Sequence, residues 1–223
     1  MEDDNNQFDT DELKQETSNA VNQVRDTMKD IKLKDETTNA TNFVKEMVKD
    51  PISKTEEIAH DNENKYLKTS IFMVLAWVLV KVLYSVLSYS KYSTLGHNIL
   101  STVKSALSPI CIILGLTFII FMFNKKNKKP LLSIFSTVTT VYIPMIISSI
   151  IHLLTLIDYS MYKITNAVAM LASIITIILS YFAIKDIFEE DTELANLKKF
   201  VIVELVYLGV AIVISFLGIS MYI

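Results

Sequence analysis

Residues Tyr66 to Ser90 read YLKTSIFMVLAWVLVKVLYSVLSYS, and within them Leu67 to Leu87 supplies 21 consecutive residues with only Lys68 at the start and Lys81 inside. A bilayer's hydrocarbon core, about 30 Å thick, takes roughly 20 helical residues to cross. The stretch is therefore long enough to be a transmembrane helix. It also divides the charge of the chain. Residues 1–65 hold 9 Lys and Arg against 17 Asp and Glu, a balance of −8, whereas residues 66–223 hold 12 against 7, a balance of +5. An acidic tail thus precedes an apolar body. Nucleic acid repels such a tail, which excludes nucleic-acid binding.

Four further apolar runs follow the first span at about 66–89: residues 105–123, 131–157, 164–184 and 200–223. The expected fold class is all-α, a polytopic membrane protein of five transmembrane helices over residues 66–223 with an amphipathic helical tail in front. Orientation follows from the lysines of the short flanks, which favour the cytoplasmic side. Lys54, Lys65, Lys68, Lys125, Lys126, Lys128, Lys129, Lys185, Lys198 and Lys199 fall on one side, and Lys91, Lys104 and Lys163 on the other. Ten against three puts the N-terminus in the cytoplasm and the C-terminus outside, in the cell (plasma) membrane. Tyr84, Tyr89, Tyr92, Tyr159, Tyr162 and Tyr222 sit at the expected interfaces as anchors. Met1 is followed by EDDNNQ rather than by a basic and then apolar segment, so no cleavable leader is expected and the first span directs insertion.

Residues 1–9 lack apolar periodicity and read as disordered. A repeat then appears in residues 10–50. Glu16 to Lys34, ETSNAVNQVRDTMKDIKLK, aligns with Glu36 to Lys54, ETTNATNFVKEMVKDPISK, at 9 of 19 positions, among them Glu16/Glu36, Ala20/Ala40 and Val24/Val44. Self-similarity of this kind marks a duplicated helical unit. Ala40, Phe43, Val44, Met47 and Val48 follow the i, i+3, i+4, i+7, i+8 pattern of one helical face, and Ala20, Val24, Met28 and Ile31 form the counterpart. Helices are expected at 10–33, 36–49 and 53–60, with links at Lys34-Asp35 and Asp50-Pro51, and with Asp9/Glu12 and Ser53/Glu56 spaced as capping boxes. Residues 51–65 read as an interfacial or linker helix. Helices this short bury no core of their own, so the stripe needs a partner: the other tail helix, a second copy, or another protein.

Polar residues inside spans are the functional candidates, because burying them is costly unless they pair or reach water. Lys81, His152 and Asn166 all fall in the outer half of their spans and form the candidate polar intramembrane site. Each also has a structural reading, with Lys81 snorkelling to the interface. Glu204 lies one turn inside the inner end, in reach of water, Lys198 or Lys68. Pro109 and Pro144 are expected to bend their spans, and Trp77, near mid-membrane, reads as packing. Ser and Ala occupy the small positions where helices approach. The acidic loop Lys185 to Lys199 lacks the turn glycine of a Ca²⁺ loop and reads as solvated, with Asp191 or Thr192 capping the next helix. Cys111 is the single cysteine, so neither an intrachain disulfide nor a cysteine-based zinc site forms. No metal or cofactor is expected. Catalysis is not expected either: no HExxH, no Gly-rich phosphate loop and no paired acids occur at membrane depth.

The segment DPISKTEEIAHDNENKYLKT, residues 50–69, followed by closely spaced spans, resembles the bacterial branch of the Yip (Ypt-interacting protein) membrane family over about residues 49–223. In eukaryotic members the resemblance implies binding of Rab-type GTPases and roles in vesicle trafficking. The Asp-Leu-Tyr-Gly-Pro motif of those tails is absent here, and one cysteine cannot build the zinc ribbon of many bacterial relatives. The resemblance implies fold and topology. The expected function is a non-enzymatic scaffold or sensor in the lipid bilayer that recruits an unknown cytoplasmic protein, or a second copy, through the face Ala40, Phe43, Val44, Met47 and Val48. The alternative is a permease or channel component using Lys81, His152 and Asn166.

Overall fold

The computed structural model describes residues 10–61, 63–89, 95–124, 127 and 129–216. The expectations for residues 1–9, Lys91, Tyr92, Lys125, Lys126, Lys128 and Tyr222 fall outside them. The described residues form helices α1 (Thr10–Lys29), α2 (Leu33–Lys49), α3 (Pro51–Ala59), α4 (Leu67–Tyr89), α5 (Leu95–Phe123), α6 (Leu131–Val141), α7 (Ile143–His152), α8 (Tyr162–Phe188) and α9 (Glu193–Ser215), with short 3₁₀ turns between α7 and α8 and no strand.

Three stretches are long and apolar enough to cross a membrane: Leu67–Ser88, Ile99–Phe123 and Tyr159–Phe188. A fourth candidate is broken, with α6 meeting the α7 segment at 45°. The expected bend at Pro144 is found, and it falls just before the proline. Pro144 has no N–H to give to the preceding turn and its ring crowds that turn's carbonyl, so α6 ends at Val141 and the proline enters the first turn of α7. Pro109, by contrast, lies inside α5 without ending it, and α5 begins about ten residues before the expected 105. The apolar run of α9 starts only after Lys198 and Lys199, carries Glu204, and is described as far as Phe216. Large apolar side chains stay exposed along these helices, as in the i, i+4 row Leu75, Leu79, Leu83 and Leu87, the surface a helix presents to lipid.

Helix α6 is the centre of the body. Ten of its eleven residues are buried, under α4, α5 and α8 along its length and under α1 and α3 at its N-terminal end. So much Ser and Thr is tolerated there because the hydroxyls close on their own helix. Thr137, Thr139 and Thr140 donate to the carbonyls of Ser133, Phe135 and Ser136, each at 2.9 Å.

The tail packs on this body. Its first link lies at Asp30–Lys32 rather than at Lys34-Asp35, because Asp35 and Glu36 belong to the first turn of α2, where carboxylates meet the positive end of the helix dipole. The α2–α3 link falls at Asp50 as expected, but the cap differs. Asp50, not Ser53, caps α3: its carboxylate accepts the Ser53 N–H at 3.2 Å, and Pro51 takes the first helical position. Thr55, Ile58 and Ala59 are fully buried, and the helix wedges between α6 and α8.

Candidate functional site

Chemistry concentrates at two ends of the body. The end away from the tail holds a cleft of about 240 Å³ between α4, α5, α7 and α8. Trp77, Lys81 and Tyr84 reach it from one face of α4, Ser148, Ser149 and His152 from α7, Ser108 and Ile112 from α5, and Asn166 and Ala169 from α8. Lys81, His152 and Asn166, singled out from sequence, are therefore brought together from three helices. Trp77, which reads from sequence as packing, Tyr84, which reads as an interfacial anchor, and Ser148 and Ser149, which read as small packing positions, line the same cleft. The i, i+4, i+7 spacing of Trp77, Lys81 and Tyr84 was the available signal.

Trp77 is 2% exposed and pinned. Its Nε1–H donates to Ser149 Oγ at 2.9 Å, and that hydroxyl donates onward to the Met145 carbonyl at 2.9 Å. The His152 ring lies 4.9 Å from the Tyr84 ring. Lys81 is half-buried, and no described carboxylate lies within ion-pair reach of it. Trp77→Phe keeps the ring bulk and deletes one donor. It is expected to lower unfolding stability in detergent by about 1 kcal/mol, because Ser149 keeps its bond to Met145.

The other end is the junction of tail and body. Glu16 of α1 caps α6, its Oε1 accepting the Leu131 N–H at 3.1 Å. Ala20, Val24 and Ile31 pack with Leu67, Ile71, Leu131 and Leu132. One repeat on, Glu36 and Ala40 are buried and Val44 packs on the main core. The duplicated positions thus face the body in both copies. Of the expected docking face, Ala40, Phe43 and Met47 are buried within the chain, Val44 is partly covered, and Val48 is 69% exposed. The covering elements are α3 and α4 of the same chain.

Lys54 holds this end together. Its Nζ lies 2.9 Å from both Glu46 and Glu57, 3.3 Å from the Tyr66 hydroxyl and 4.8 Å from the centre of the Tyr66 ring. The Tyr66 hydroxyl also donates to Glu57. Burial opposes the Lys54 charge, but the hydrogen bonds to Glu46, Glu57 and Tyr66 outweigh it and hold the ammonium above the ordinary lysine range. The bonds from Tyr66 and then Lys54 hold the Glu57 carboxyl below its ordinary value.

The stability Glu57 contributes is present above the unfolded glutamate pKa and is lost as pH falls through the lowered folded value. That from Lys54 is complete below the unfolded lysine pKa and is lost only as pH rises through the raised one. Tail docking should therefore hold from neutral pH to about pH 9 and loosen below about pH 4. Hydrogen-exchange protection of the α2 and α3 amides across that range is the measurement.

Two further ties fix the α5–α6 loop. Lys129, nearly buried, donates to the Ala59 carbonyl at 3.2 Å and pairs with Glu189 at 3.2 Å, and His60 Nε2 lies 3.6 Å from the same carboxylate. Asn127 donates to the last carbonyls of α8, those of Ile187 and Phe188. Thr192 caps α9 through the Ala195 N–H at 3.2 Å, one of the two residues expected there. Glu204 has no ion-pair partner among the described residues, and no group of His, Cys, Asp or Glu among them is placed to hold a metal. No family model, curated protein or solved structure matches the chain.

Proposed function

We propose that the chain is a five-span, non-catalytic membrane scaffold or sensor of Yip-like layout in the plasma membrane, with its N-terminal tail in the cytoplasm and its C-terminus outside. The observation that carries the reading is the Glu16 cap on α6. The tail is fastened to the N-terminus of the broken span α6–α7, and the other end of that span supplies Ser148, Ser149 and His152 to the cleft. A shift of α6 is felt by the tail, and release of the tail frees the α6 terminus. In the docked state Val21, Met28, Leu33 and Val48 remain exposed on the tail for a partner, and undocking adds Phe43 and Met47.

Affinity capture after crosslinking in native membranes tests this, using the intact chain and one lacking residues 10–50. A partner held by the first and lost by the second is expected. Identical captures would remove the tail as the recruiting element. The permease reading draws on the cleft, but buried Trp77, Ile112 and Met145 at its tail-side end favour a binding site over a conduit. Loss of solute flux in vesicles on changing Lys81 or His152 would reverse that preference.

A further inference from the structure

We infer that the cleft between α4, α5, α7 and α8 binds an anionic head group, a phosphate or carboxylate, carried on an apolar chain. Charge gives the sign. Lys81 is the one lysine or arginine in the lining, no acidic residue lines the cleft, and no described carboxylate pairs with Lys81. A cation held half-buried in a membrane helix is costly without a counter-charge, and a bound anion supplies one. The neutral groups suit the same ligand. The Asn166 amide, the Tyr84 hydroxyl and His152 can each donate, whereas Ser149 is committed to Met145 and Trp77.

Size and surroundings give the rest. Sites that enclose whole drug-sized ligands run to about 300–1,000 Å³, so a cleft of about 240 Å³ takes a head group and leaves a chain outside. Leu107 and Met170, next to Ser108 and one turn beyond Asn166, are exposed apolar side chains on which that chain would lie. The inference concerns the cleft alone and stands or falls separately from the tail.

Trp77 is the chain's single tryptophan and lines the cleft, so its emission reports occupancy. The full chain in nanodiscs of zwitterionic lipid would receive equal small fractions of either an anionic or a zwitterionic phospholipid with brominated chains. Quenching selective for the anionic lipid is expected. It should fall about tenfold in Lys81→Met, the equivalent of one charge-assisted contact, and persist in Lys81→Arg. Unchanged quenching by the zwitterionic lipid confirms that the variants are folded. Equal quenching by both lipids in the natural chain, or undiminished selectivity in Lys81→Met, overturns the inference. Saturable change on adding soluble glycerol phosphate, without lipid selectivity, overturns the amphiphile and leaves a site for a free anion.

Discussion

Phe43→Ala is expected to release the tail from the membrane body. The Phe43 ring is 6% exposed, lies 5.8 Å from the Tyr66 ring, and has the Lys54 ammonium 5.7 Å from its centre. Truncating a buried phenylalanine costs about 3–5 kcal/mol, from lost transfer energy and the cavity left behind. Helices α1 and α2, with 20 and 17 residues, are near the length at which an isolated helix is marginal in water. A loss of that size falls on docking itself. Hydrogen exchange of the α2 amides in membranes should accelerate at least about 100-fold in Phe43→Ala. Val48→Ala, on the exposed edge of the same helix, should leave it unchanged. Equal rates for both variants would mean that the apolar face does not hold the tail.

Periodicity made most of the helices legible. The runs over α4 and α8 are apolar on all sides, and that alone marked them as membrane helices. The α6–α7 break was legible because proline has one backbone consequence wherever it sits. The tail repeat showed which residues share a face, but not what covers that face. Amphipathicity says only that a stripe must be buried; the burying surface comes from α4 and α6 for the first copy and from α3 and α4 for the second, and no local pattern records it. Lys81, His152 and Asn166 stood out because an ionisable or amide side chain is conspicuous in an apolar run. Trp77 and Ser149 did not, since their roles depend on one hydrogen bond between residues 72 positions apart. Glu16 was hidden for the same reason. The repeat shows it only as the counterpart of Glu36, and the fold alone brings it to Leu131, 115 positions on.

Lys129→Met is expected to have the second largest effect, and it acts on the same junction from the other side. The Lys129 side chain is 9% exposed, and its ammonium joins the Ala59 carbonyl at the end of α3 to Glu189 just past the end of α8. Methionine preserves the apolar stem and removes the charge. The α3 carbonyl then loses its donor in a buried setting, and Glu189 loses its nearest cation. Breaking a fully buried ion pair costs about 3–5 kcal/mol. Glu189 is half exposed and still reaches water and His60, so about 2 kcal/mol is the expected loss in detergent unfolding. The double variant Lys129→Met/Glu189→Gln should lose less than the sum of the two single changes, because the second removes a charge the first left unpaired. Strict additivity would show that Lys129 acts through Ala59 alone. Lys129 stands two residues before α6, so loosening it should also raise the exchange of the Leu131 amide that Glu16 caps. An unchanged Leu131 rate would mean that the tail holds α6 without help from α3 and α8.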